Sequence, residues 1–134
     1  MSTNINFNDF TFSFWIKPTD LTNRIVFSIG NGAADTRAQQ FYFRLLATGQ
    51  AYFYLKDMGK YARTATGAIT TNVWQHILVC RDQNEAIGQK VKIFINSLDA
   101  TSYENTRFYS NTTNATTGLM IGEHTNGYAA PFLG

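Results

Sequence analysis

The sequence predicts an all-β fold, a sandwich or barrel of short strands, on three observations. Apolar and polar residues alternate over several short segments. Clusters of Gly, Asn, Asp and Thr separate those segments. No stretch sustains the period of an amphipathic helix.

Residues 10–17 (F-T-F-S-F-W-I-K) alternate from end to end. Successive strand side chains point to opposite faces, so Phe10, Phe12, Phe14 and Ile16 form a core face. Thr11, Ser13, Trp15 and Lys17 form the outer face, and Pro18 closes the strand. A polar connection leads to a second strand at residues 24–29, stopped by Gly30-Asn31-Gly32. Residues 31–39 are a polar loop holding Asp35 and Arg37. Strand character resumes at 41–46, and Thr48-Gly49-Gln50 reads as a hairpin turn into 51–56. A turn at 57–60 precedes 61–68, a weaker strand rich in Thr and Ala.

The pair 74–82 (W-Q-H-I-L-V-C-R-D) and 91–96 (V-K-I-F-I-N) organises the rest. Trp74, His76, Leu78 and Cys80 share one face of the first; Gln75, Ile77, Val79 and Arg81 share the other. A segment apolar on both faces is expected at the centre of a sheet, with something covering each face. Val91, Ile93 and Ile95 give its partner an apolar row, and the polar run 82–90 suits a long hairpin loop. Residues 97–114 read as mostly polar connection, 118–122 (G-L-M-I-G) as one more short strand, and 123–134 as a closing loop.

The 134 residues suit one domain with a single core, and 44% hydrophobic content is that of a globular chain. The 11 basic residues are scattered and the net charge is only +2, which argues against nucleic acid as a ligand and against a membrane-binding patch. No apolar run reaches a membrane span, so membrane insertion is not expected. Cys80 has no partner for an internal disulfide and reads as a small buried core residue. The opening M-S-T-N-I-N-F lacks the basic start and apolar block of a secretory signal. Export is therefore expected to be encoded elsewhere, or the protein displayed without a signal, as on a virion.

The succession F-T-F-S-F-W-I-K-P, W-Q-H with a following R-D, K-I-F-I-N-S, and G-L-M-I-G followed by P-F-L-G resembles the laminin-G-like domain. That family belongs to the concanavalin-A-like lectin and glucanase jelly rolls. The resemblance covers nearly the whole chain and rests on the order of the blocks. It implies two antiparallel sheets packed face to face, with ligand sites on rim loops or on the concave sheet. The chain departs from the family in having Asn96-Ser97 where an Asn-Gly turn is usual. It also shows neither the strand that usually precedes the first block nor the one that follows the last. On that comparison, residues 1–134 are expected to be a fragment of a laminin-G-like domain lacking its first and last strands. An exposed sheet edge would follow, open to self-association or to a completing segment.

Glycan hydrolysis needs two carboxyl groups flanking the scissile bond. Glu85, Glu104 and Glu123 fall in separate loops and no E-x-D pair occurs, so no catalytic residue is assigned. There is no G-x-S-x-G elbow, and His76 reads as a packed structural histidine. Two histidines and one cysteine, far apart, make no zinc signature. The resemblance makes Ca2+ the more credible metal, with Asp35 and Asn31 as its ligands, or Asp57; a solvated loop aspartate is the competing reading. Carbohydrate binding needs only an aromatic platform and polar groups for hydroxyls. Tyr52, Tyr54, Tyr61, Trp15 and Tyr128 can supply the first, and Asn31, Asp35, Arg37 and Asn126 the second. The competing reading places the aromatics in the core and the loop amides in turns. The candidate binding set is thus Asn31, Asp35, Arg37, Tyr61, Asn126 and Tyr128. The function expected is a non-enzymatic module binding a glycan or cell-surface protein, within a larger extracellular, cell-surface or virion protein such as a phage tail fibre. The alternative is a structural or assembly module with no small ligand.

Overall fold

The phenylalanine row of the first strand fixes how two layers stack. The computed structural model describes residues 9–29, 41–55, 60–86, 89–104, 119–121 and 130–131. Among them run β1 (Phe10–Ile16), β2 (Arg24–Ile29), β3 (Phe41–Leu45), β4 (Ala51–Leu55), β5 (Lys60–Thr64) and β6 (Gln75–Arg81). These are followed by β7 (Val91–Ile95), β8 (Leu98–Asp99), β9 (Thr101–Glu104), β10 (Leu119–Ile121) and β11 (Ala130–Pro131). The smaller sheet has the order β1-β6-β7-β8. The larger runs β10-β2-β3-β4-β5-β9, with β11 also on β2. Every pairing is antiparallel except that of β11 with β2.

The core lies between the sheets and is built by alternation. Ile77, Val79, Val91 and Ile93 point inward from the smaller sheet, and Phe43, Leu45, Phe53 and Ala62 from the larger; all are fully buried. Rings from β1 bridge the layers: Phe10 meets Phe53 at 5.4 Å, Phe12 meets Phe27 at 5.1 Å, and Phe14 meets Phe43 edge-on at 5.2 Å. Edge-to-face aromatic pairs add attraction beyond the area they bury. The predicted inward set of the first strand is therefore correct, and the predicted central strand is β6, flanked by β1 and β7. Its expected cover on both faces is not found: among the described residues His76, Leu78 and Cys80 are only half-buried and Trp74 is exposed, because the second sheet packs on one face alone.

Three expectations need correction. Cys80 is half-buried on the outer face of the smaller sheet, opposite Thr11 and Lys92, because its strand turns Ile77, Val79 and Arg81 inward instead. Burial still pushes its thiol above the usual cysteine range. Residues read as polar connection contain β8 and β9, whose short polar segments carry little alternation of their own. Glu104 accordingly ends a strand instead of lying in a loop. The closing loop likewise contributes the two-residue β11.

The turns follow the chemistry of their residues. Gly49 adopts φ +71°, and a Cβ there would lie 3.0 Å from the Ile69 carbonyl oxygen, so glycine is required in the β3–β4 turn. Buried Gln75 is satisfied by the 70s loop: its Oε1 accepts from the Thr70 N–H at 2.9 Å and its Nε2 donates to the Ala68 carbonyl at 3.1 Å. The β7–β8 turn places Asn96 at φ 51° and Ser97 at φ 71°, as a type I′ hairpin demands. Asn96 suits that conformation, and its Oδ1 also accepts from the His76 N–H at 2.9 Å. Ser97 does not suit it, so Ser97→Gly is expected to raise stability by about 1 kcal/mol. The check is a urea midpoint shifted upward at unchanged slope.

Where β1 borders β10, the sheets leave an apolar groove of about 320 Å³ lined by Phe12, Phe14, Ile16, Val26, Phe27 and Ile121. Ile121 is 79% exposed there although the register turns it toward Phe27.

Candidate functional site: a tyrosine and arginine face

The same alternation that buries Phe43, Leu45, Phe53 and Ala62 sends Tyr42, Arg44, Tyr52, Tyr54, Tyr61 and Arg63 to the outer face of the larger sheet. Strand pairing arranges them in two rows. One row reads Tyr42, Tyr54, Tyr61 across β3, β4 and β5. The other reads Arg44, Tyr52, Arg63, Tyr103 across β3, β4, β5 and β9. Aromatic and cationic side chains thus alternate over four strands.

The rings form one continuous cluster. Tyr42 lies 4.9 Å from Tyr54, Tyr52 stacks on Tyr61 at 4.8 Å with 18° between planes, and Tyr61 lies 5.3 Å from Tyr103. The Arg44 guanidinium sits 4.7 Å from the Tyr52 ring centre and 5.5 Å from that of Tyr42. Arg63 sits 5.2 Å from Tyr103 and 5.8 Å from Tyr61. Cation–π attraction of this kind holds both charges against the rings. Neither arginine takes part in an ion pair among the described residues. The Nε of Arg44 is buried without a hydrogen-bond partner.

Burial keeps the Tyr42 and Tyr52 phenols neutral. Burial raises the Tyr42 hydroxyl, and it raises Tyr52 from 10.0 to about 12 against the opposing pull of Arg44. A raised folded-state value means that the stabilising contribution is complete below pH 10.0 and is lost as pH rises through about 12. Phenolate absorbance of the folded protein is therefore expected to appear later than in the unfolded chain, with Tyr52→Phe removing the latest part. A chemically uniform tyrosine titration near 10.0 would contradict the described packing.

Of the residues predicted for binding, Tyr61 lies within this face, together with Tyr52 and Tyr54 from the wider platform set. Asn31, Asp35, Arg37, Asn126 and Tyr128 lie outside the described residues, as does the Ca2+ site expected at Asp35 and Asn31. Trp15 belongs elsewhere. It is 62% exposed on the outer face of the smaller sheet, 5.2 Å from the His76 ring, and the Ser13 Oγ–His76 Nε2 hydrogen bond of 2.8 Å is beside it. The sandwich separates it from the tyrosines. His76 is half-buried on that outer face and held by the Ser13 bond.

Tyr42, Arg44, Arg63 and Tyr103 were absent from the predicted set. A signal for three of them exists: β3 and β5 each carry Y-x-R (Tyr42, Arg44; Tyr61, Arg63), and β4 between them carries Y-x-Y. Strand residues opposite a buried row are usually polar, so a repeated Y-x-R there signals an outer face of rings and cations. Tyr103 joins only through the β5–β9 pairing, which no local pattern announces.

Comparison with known proteins addresses the fold. The CBM40 module of Ruminococcus gnavus IT-sialidase bound to alpha2,3 sialyllactose superposes with a TM-score of 0.71 at 21% identity, over 93% of this chain and 70% of that one. A second structure of that CBM40 module gives 0.72 at 20% identity, over 95% and 71%. Domains LG4-5 of the mouse laminin alpha1 chain give 0.65 at 11% identity, covering 100% of this chain and 35% of that one. At such identities the likeness speaks for the fold. No curated protein sequence matches the chain. The profile of a laminin G family described as the concanavalin A-like lectin/glucanases superfamily matches residues 1–134. Two stacked β-sheets and that full-length match agree: the chain belongs to the laminin-G-like family of the concanavalin A-like lectin/glucanase superfamily.

Proposed function

We propose that the chain is a non-catalytic recognition module that binds glycans through the tyrosine and arginine face of its larger sheet. The observation that carries this reading is the continuous cluster of five tyrosines with two arginines lodged among them. Tyrosines offer apolar ring surface to sugar C–H groups and neutral hydroxyls to sugar oxygens, at low conformational cost. The register brings no carboxylate onto this face among the described residues, so the two-carboxylate chemistry of glycoside hydrolysis has no counterpart on it. The setting that fits is extracellular or on a cell surface or virion, within a larger protein. Two findings support a glycan over a protein ligand: the clustering of rings, and the sialyllactose carried by the CBM40 module of the same fold.

A glycan array holding neutral and acidic sugars, run with and without calcium, tests the reading. Binding is expected to at least one class, and to be lost in Tyr52→Ala. A cooperatively folded protein that binds nothing in either condition would contradict it.

A second reading, assembly through the sheet edges, is favoured by the apolar groove between β1 and β10. Pairing there with a second copy would cover Ile121 and Trp15. Gel filtration over a dilution series separates the readings, since a strictly monomeric protein excludes that assembly.

A further inference from the structure

We infer that the saccharide bound by this face carries an anionic group, and that Arg44 and Arg63 receive it. The inference rests on the glycan reading and adds the charge of the ligand. Its ground is a contrast among the arginines of the described residues. Arg24 is occupied structurally: its Nη2 donates to Asp20 Oδ2 at 3.0 Å, and its Nε donates to Oδ1 at 3.3 Å. That pairing holds the Asp20 carboxyl well below the usual carboxylate range. Arg81 is buried at the inner end of β6 and belongs to the core. Arg44 and Arg63 are different. Both lie half-buried on the outer face, both are braced by rings, and no carboxylate pairs with either among the described residues.

Geometry narrows the ligand. Arg44 and Arg63 both face Tyr52 across strand pairs, one on each side. Adjacent strands are about 4.8 Å apart, so the two backbones stand roughly 10 Å apart with Tyr52 midway, and a sugar ring seated over Tyr52 lies about one strand spacing from either arginine. A ring set over Tyr52 would bring a carboxylate or sulfate substituent to one guanidinium and its hydroxyls to the Tyr54 and Tyr61 phenols. The planar guanidinium fork suits either anion. Two like charges on one face disfavour each other and have no carboxylate paired with them among the described residues, so an anion is preferred over a neutral sugar on this surface. The Tyr42 and Tyr52 phenols, held protonated by burial, leave that positive potential uncancelled.

Calorimetric titration of the folded protein with sialyllactose, sulfated lactose and lactose tests the inference and separates the two anion sources. At least one acidic probe is expected to bind about tenfold or more tightly than lactose, and added salt is expected to narrow that gap. In the double variant Arg44→Gln, Arg63→Gln the acidic probe is expected to fall to the affinity of lactose. Unfolding curves check that these outward-facing changes leave the fold intact. Lactose binding as tightly as both acidic probes, or a preference that survives in the double variant, would overturn the inference and leave glycan binding standing. Binding of none of the three, by a protein that also binds nothing on the array, would overturn both.

Discussion

Phe43→Ala is expected to lower the unfolding free energy by about 3–5 kcal/mol, the largest effect of any single truncation in the core. Phe43 is fully buried, stacks on Phe27 at 5.8 Å and takes the edge of Phe14 at 5.2 Å. It is therefore the point at which β1 of one sheet meets β2 and β3 of the other. Removing the ring leaves a cavity that neither stiff sheet can close, because each strand is held by its ladder. A domain of this size has about 5–15 kcal/mol in hand, so the variant is expected to sit near its unfolding threshold. Chemical denaturation checks the value. A loss below about 1 kcal/mol would mean that the ring does not join the layers.

Tyr52→Ala is expected to weaken glycan binding at least about tenfold, which corresponds to about 1.4 kcal/mol. Tyr52 is the hub of the face, in contact with Tyr54, Tyr61 and the Arg44 guanidinium. Truncation removes a ring and also frees Arg44 and Tyr61 to collapse into the gap, so the effect exceeds that of one lost contact. Tyr52→Phe keeps the ring and is expected to retain most of the affinity, the difference reporting the hydroxyl. Both variants are expected to unfold cooperatively, since the side chain lies on the outer face. Equal binding by wild type and Tyr52→Ala would move the site off this sheet.

The fold was readable because burial and period coincide. The F-x-F-x-F row of β1 and the I-x-V and V-x-I-x-I rows of β6 and β7 each specify one inward face, and the structure turns those faces together. What was not readable depended on pairing between distant segments. β8 and β9 are short and polar, and they exist because the Asn96-Ser97 turn returns the chain and because β5 offers an open edge. Cys80 looked like core because its neighbours in sequence are apolar, yet position in the alternation, not local hydropathy, decides which way a strand residue points. The site was half legible for the same reason. Tyr52, Tyr54 and Tyr61 stood out as aromatics on strands, but Trp15 looked equivalent and lies on the other sheet. Arg44 and Arg63 share the repeated Y-x-R, but only the register of three strands sets them on either side of one tyrosine.

The central claim is that the outer face of β3, β4 and β5 is the ligand surface. Tyrosine ring resonances followed by NMR during addition of a glycan identified on the array test it most directly. The predicted result is saturable movement of the Tyr42, Tyr52, Tyr54 and Tyr61 signals, with the Trp15 and Trp74 indole signals unmoved. Movement of the tryptophan signals, with the four tyrosines unchanged, would contradict it.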